Sequence, residues 1–140
     1  MAKLQQYKNH VIVCGYGLVG ERIVEILSEH KVKVLVIEPN PKKAEVCKEA
    51  GIRVLVGDAT STKTLKEAGV LNARAIAVVM DDDAKNLFCV ITAKGLNKNI
   101  IIATRANDEL IKDKFRDAGA DFIAAPNKST SDELFREIIK

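Results

Sequence analysis

Short apolar runs rich in β-branched residues alternate along the chain with longer stretches in which apolar positions recur every three or four residues, giving the order strand, helix, strand, helix to the C-terminus. The runs His10–Cys14, Val32–Ile37, Ile52–Val56, Ala75–Val79, Ile100–Ala103 and Asp121–Ala125 predict six strands. Most are too apolar to have one wet face, which suits a parallel sheet covered on both sides. Between the first two, Val19, Ile23, Ile26 and Leu27 form one apolar helical face, with Glu21, Arg22, Glu25 and Glu29 largely outside. Helix starts are marked by Asn40-Pro41, an N-cap followed by proline, and by Thr130 with Glu133 at capping-box spacing. A final helix is expected over Ser131–Lys140, with Leu134, Phe135, Ile138 and Ile139 as its apolar stripe. Five crossovers of one hand then give an α/β, doubly wound, six-stranded parallel sheet in the order 3-2-1-4-5-6, with a C-terminal helix.

A length of 140 residues, 47% of them hydrophobic, supports one domain, placed at residues 9–140 behind a flexible lead-in at residues 1–8. The formal net charge of +3 is spread without a basic run or interleaved aromatics, so nucleic acid is not an expected partner. No stretch approaches the roughly 20 apolar residues of a membrane span, and no signal peptide is visible, so a soluble, cytoplasmic domain is expected. Cys14, Cys47 and Cys89 are widely spaced in apolar surroundings, the pattern of buried thiols rather than of a disulfide framework or metal knuckle.

The first strand runs through Val11-Ile12-Val13-Cys14 into Gly15-Tyr16-Gly17-Leu18-Val19-Gly20 and then into a helix, which is G-x-G-x-x-G in its Rossmann setting. The first glycine permits the tight turn, the second lets backbone approach a pyrophosphate, and the third allows helix to pack on strand. Free amides at the helix start bind phosphate without any basic side chain. Glu38 ends the second strand 23 residues after Gly15, where a carboxylate accepts from both hydroxyls of an adenosine ribose and repels a 2′-phosphate. Beyond the other strands stand Gly57-Asp58-Ala59-Thr60, Asp81-Asp82-Asp83, Thr104-Arg105-Ala106-Asn107 and Pro126-Asn127-Lys128. Asp58 suits adenine or ribose, or an Asx turn. Arg105 suits a phosphate, or a structural pair with a carboxylate such as Asp58 or one of the triplet. Asp81–Asp83 read first as the N-cap and first-turn acids of the next helix, and alternatively as a divalent-cation site, which lacks the spacing of a calcium loop.

Enzymatic chemistry finds no support in these residues. His10 and His30 fall on the side away from the crevice, Tyr7 and Tyr16 begin no Tyr-x-x-x-Lys pair, and no second domain exists to hold a substrate against a nicotinamide. There is no nucleophile elbow, no G-x-x-x-x-G-K-S/T loop and no His/Cys cluster.

The segments Asn9-His10-Val11-Ile12-Val13-Cys14-Gly15-Tyr16-Gly17-Leu18-Val19-Gly20, Val36-Ile37-Glu38, Gly57-Asp58-Ala59, Asp83-Ala84-Lys85-Asn86-Leu87 and Ala103-Thr104-Arg105 together resemble the RCK, or KTN (TrkA-N), domains of potassium channels and Trk- and Ktr-type transporters. The resemblance implies a regulatory domain, not an enzyme, that binds NAD(H) or an adenine nucleotide (ATP, ADP or AMP) and gates an attached pore by allostery. It implies a nucleotide site of Gly15, Tyr16, Gly17, Leu18, Val19 and Gly20 at the phosphates, Glu38, Pro39 and Asn40 at the ribose, Asp58 and Ala59 at the adenine side, and Arg105, with no catalytic residue and no metal ligand. It further implies homodimers built into a ring of eight, attached to the inner face of the membrane through a pore that is fused or separate. The Asn9-His10 opening is closer to a domain fused behind a pore. Leu87-Phe88-Cys89-Val90-Ile91, apolar on every side, is either deeply buried or part of an interface. An NAD-dependent oxidoreductase fragment and a cation sensor built on Asp81, Asp82, Asp83 and Asp58 or Glu109 are the rival readings.

Overall fold

The computed structural model describes residues 7–126 and 128–140. Its strands are β1 (Val11–Cys14), β2 (Val34–Glu38), β3 (Arg53–Val56), β4 (Ala75–Val78), β5 (Ile101–Arg105) and β6 (Phe122–Ala124). The helices are α1 (Leu18–Glu29), α2 (Pro41–Glu49), α3 (Thr62–Glu67), α4 (Asp83–Leu96), α5 (Lys112–Asp117) and α6 (Lys128–Ile139), with short 3-10 turns at Val70–Asn72 and Glu109–Ile111. The strands form one sheet in the order β3-β2-β1-β4-β5-β6, as the alternation of apolar runs predicts. Every pairing is parallel, with Val11 opposite both Val34 and Ala75.

Side chains on the two faces of the sheet make two cores. On one face Ile12, Cys14, Leu35, Ile37, Ile76, Val78 and Ile102 pack against Leu65 of α3, Cys89, Val90 and Ala93 of α4 and Phe115 of α5. On the other, Val11, Val13, Val34 and Val36 pack against Val24 of α1 and Cys47 of α2. Each fully buried large side chain, such as Ile12 or Phe115, contributes about 1.5–3 kcal/mol relative to its exposed state.

The structure corrects four expectations. The buried stripe of α1 is Gly20 and Val24, with Ile23 and Leu27 half-buried, whereas Val19 and Ile26 face outward, because the close approach of Gly20 to the sheet sets the rotation of the helix. Thr130 is no N-cap, since α6 is already under way at Lys128. The sheet is not covered on both sides throughout: Ile101 is 51% and Phe122 68% exposed, because α1 and α2 stay over β1–β3 while α3, α4 and α5 all take the opposite face. Finally, α4 is not deeply buried. Cys89 and Val90 are in the core while Phe88 and Ile91 are more than half exposed. The apolar stripe of α6 is likewise open, with Leu134, Phe135, Ile138 and Ile139 all exposed.

At the N-terminal end of the sheet, away from the crevice, His10 is fully buried. Its Nε2 lies 2.7 Å from the Ala68 carbonyl oxygen. A carbonyl only accepts, so Nε2 carries the proton, and Nδ1 has no partner among the described residues. Burial holds the imidazole below the usual histidine range, partly opposed by the Ala68 bond, with Lys33 pushing the same way as burial. The Tyr7 ring packs edge-on at 4.7 Å against His10, under the cationic heads of Lys33 and Arg53. Of the expected lead-in, residues 1–6 lie outside the described residues, and Tyr7 is part of the packed domain.

Candidate functional site

At the C-terminal end of β1 the chain turns sharply at Gly15, whose φ of +104° is open to glycine and strained for any other residue. The turn delivers Gly17 as the N-cap of α1, without a side-chain cap bond. The first intrahelical bond runs from Glu21 N–H to the Gly17 carbonyl at 2.8 Å, so the amides of Leu18, Val19 and Gly20 precede it and point free at the positive end of the helix. Gly20 is pressed on the turn. A Cβ there would stand 1.9 Å from the Gly15 carbonyl oxygen, whereas one at Gly17 would meet nothing within 4 Å. The three glycines therefore stand in three different settings: a strained turn, an open approach and a tight backbone contact. Leu18, 89% exposed, and Val19, 40% exposed, are not on the cavity lining.

Glu38 is 5% exposed at the end of β2. One carboxylate oxygen accepts from Tyr16 N–H at 2.8 Å and the other from Asn40 N–H at 2.9 Å. The side chain thus braces the glycine turn against the start of α2, and each oxygen keeps a second lone pair for a hydroxyl. Asn40 spends its side chain on capping α2, accepting from Lys42 N–H at 2.9 Å. Asp58 makes an Asx turn, its Oδ1 accepting from Thr60 N–H at 2.9 Å and from the Thr60 hydroxyl at 2.7 Å. Those two bonds hold its carboxyl below the usual range. It also lines the cleft.

A cavity of about 320 Å³, at the small end of ligand pockets, joins these parts. Gly15, Tyr16, Gly17, Glu38, Pro39, Asp58 and Ala59 line it. Of the other expected site residues, Leu18, Val19, Gly20 and Asn40 stand behind this lining and Arg105 is off it. Arg105 instead pairs with Asp81 at 3.4 Å and donates to the Asn107 side-chain oxygen at 2.8 Å. The acidic triplet divides its work similarly: Asp82 caps α4 through Lys85 N–H at 3.0 Å, and Asp83 accepts from Asn107 N–H at 2.8 Å. Among the described residues no three His, Cys, Asp or Glu side chains converge on a metal position. Glu109, proposed with them, pairs with Lys112 at 3.0 Å.

Asp81 and Asp82 also line the cavity, and sequence reasoning missed Lys43, Val79, Met80 and Lys85, which complete the lining. Val79 and Met80 follow β4 directly and were within reach of the topology. Lys43 and Lys85 sit inside the first turns of α2 and α4, and only the rotation of those helices brings them to the cleft. The β4–α4 loop owes its shape to Asn86, fully buried, whose amide accepts from Met80 N–H and donates to the Met80 carbonyl, both at 2.9 Å.

The TrkA-N domain family matches residues 11–126, most of the chain. The chain belongs to that family. Potassium channel protein 1 of Methanocaldococcus jannaschii is 35% identical to this TrkA-N domain over 128 residues, which are 90% of the chain and 38% of that protein. The chain therefore spans well under half of this relative. The TrkA-N domain of the Escherichia coli inner membrane protein ybaL superposes with a TM-score of 0.85 at 21% identity, covering 96% of this chain and 99% of that one. The GsuK channel bound to NAD gives 0.79 at 21% identity, covering 85% of this chain and 22% of that one. The Kef C-terminal domain of Shewanella denitrificans in its AMP-bound form gives 0.77 at 23% identity, covering 94% and 79%. These likenesses establish the fold. Among the described residues, no helix is long and apolar enough to cross a membrane.

Proposed function

We propose that this TrkA-N domain is a regulatory module that binds NAD(H) or an adenine nucleotide and passes the binding energy to a potassium channel or transporter on the cytoplasmic face of a membrane, without making or breaking bonds. The observation that carries the reading is the bracket formed by Glu38 across Tyr16 N–H and Asn40 N–H, which sets a ribose acceptor beside the free amides of the α1 start. The NAD and AMP named for the GsuK and Kef structures support the ligand class, and the Methanocaldococcus channel protein supports the partner. Adenosine would lie between Glu38, Pro39, Asp58 and Ala59, with phosphate over Gly15, Gly17 and the amides of Leu18, Val19 and Gly20. Asp58 is pushed down by its bonds from Thr60 and Tyr16 is pushed up, chiefly by burial, so neither of these two is tuned towards the neutral range that suits a general acid or base.

The working unit is a homodimer. The open side of β5 and β6, with Ile101 and Phe122, and the bare stripe of α6 are apolar surfaces that a second copy would cover, while Phe88 and Ile91 on α4 offer a further contact for a larger ring. A ligand that binds two arrangements of the pair unequally would shift the balance between them.

Calorimetric titration with NAD, NADH, ATP, ADP and AMP tests the reading. Saturable binding to the native chain that weakens about ten-fold or more in Gly17→Ala is expected. Heat signals that are flat for every nucleotide, or identical in the variant, would overturn it.

A further inference from the structure

We propose that Cys14 and Cys89 are an oxidation site: a buried dithiol that closes to a disulfide and, in closing, changes the shape of the nucleotide cleft. Three free cysteines are all fully buried, yet only two of them meet. The Sγ atoms of Cys14 and Cys89, 75 positions apart in sequence, lie 3.9 Å from one another in the core beneath α4. Cys47 belongs to the core on the opposite face of the sheet, so the sheet itself decides which pair can form. The placement matters because each sulfur sits under one wall of the cleft. Cys14 directly precedes Gly15 of the phosphate turn. Cys89 lies one helical turn beyond Asn86, which pins Met80 on the facing wall. A disulfide needs a sulfur separation of about 2.05 Å, so closure draws the phosphate turn and α4 towards each other.

The chemistry balances with an external two-electron oxidant such as an azo compound or a low-molecular-weight disulfide. With diamide, one thiolate adds to the N=N bond and the second attacks that sulfur. The S–S bond forms, and two electrons and two protons reduce the azo group to a hydrazine. The contact with Cys89, and then burial, favour the thiol over the reactive thiolate at Cys14, so the reaction proceeds through transient opening rather than in the closed protein.

The experiment treats the native chain with diamide at a temperature where its circular dichroism is unchanged, then maps peptides and labels remaining thiols after denaturation. A species two hydrogens lighter, linked through Cys14 and Cys89, with only Cys47 alkylated, is expected; Cys47→Ala should bridge equally well, and Cys89→Ala should not. Three labelled thiols, or a bridge through Cys47, would overturn the proposal. The effect on the cleft rests on the nucleotide reading above and is measured separately, as the affinity of bridged and reduced protein for NAD and AMP. Losing one amide bond to phosphate lowers affinity about ten-fold. Equal affinities would remove the link to the cleft. A bridge in a protein that binds no nucleotide in either state would refute the nucleotide reading and leave the oxidation site standing.

Discussion

Replacing Gly20 with alanine sets a methyl group 1.9 Å from the carbonyl oxygen of Gly15, inside the 3.0 Å that real Cβ contacts respect, so α1 and the phosphate turn must part by about 1.1 Å. Both partners are backbone, and no rotamer can relieve the clash. Overpacking of this kind costs about 1–3 kcal/mol, and the rigidity of the contact places Gly20→Ala at the upper end. For a chain of 140 residues, with about 2.1 cal/mol/K of unfolding entropy per residue, 3 kcal/mol corresponds to a fall in Tm of roughly 10 °C. Gly17→Ala is the matched control. Its Cβ would meet nothing within 4 Å, and the φ of −85° suits alanine, so stability should hold or rise by up to about 1 kcal/mol. The same methyl would stand where the backbone must approach phosphate, and nucleotide affinity should fall about ten-fold or more. Thermal denaturation without ligand, paired with calorimetry, separates the two. A Gly20→Ala protein that melts with the native one, or a Gly17→Ala protein that melts well below it, would refute the division of labour among the glycines.

Glu38→Ala should lower ligand-free stability by about 2 kcal/mol, since the amides of Tyr16 and Asn40 lose their acceptor, and Glu38→Gln by less; urea denaturation without nucleotide checks this, and an unchanged alanine variant would dismiss the brace. Because the folded state holds His10 below its ordinary proton affinity, the unfolded chain binds more protons between the two values. Stability is therefore full above the ordinary histidine pKa and is lost as pH falls from about 6.5 through the folded value, and His10→Gln should flatten the slope of unfolding free energy over that window. Phe135→Ser with Ile138→Ser removes apolar surface that is already exposed, so it should leave the fold intact while shifting sedimentation towards the monomer; an unchanged association state would exclude α6 from the dimer contact.

Much of this molecule was written in local patterns. Strand order followed from alternation and handedness, and the places of the glycine turn and of Glu38 from spacing, because each is marked by a local run or by a fixed interval along the chain. What escaped depended on helix rotation and on long-range placement. The outward turn of Val19 and Ile26 is set by the contact of Gly20 with Gly15, and the arrival of Lys43 and Lys85 at the cleft by the seating of α2 and α4. Arg105 is the last residue of β5, not beyond the strand as expected, and only the position of Asn107 and Asp81 decides where its side chain goes. The open side of β5 and β6 was invisible for a related reason. An apolar run such as Ile100–Ala103 reads the same whether its second face is covered by the chain itself or by another molecule.

Asn86 fastens the wall of the cleft that faces the glycine turn. By bonding both the N–H and the carbonyl of Met80, its amide acts as an extra rung of β-ladder supplied by a side chain, and it reaches the Arg105 carbonyl as well at 3.4 Å. The rung needs a donor and an acceptor on one side-chain end. An aspartate in its place would keep the acceptor for the Met80 N–H and turn a carboxylate on the carbonyls of Met80 and Arg105, so the shape of this wall depends on an amide that no carboxylate can imitate.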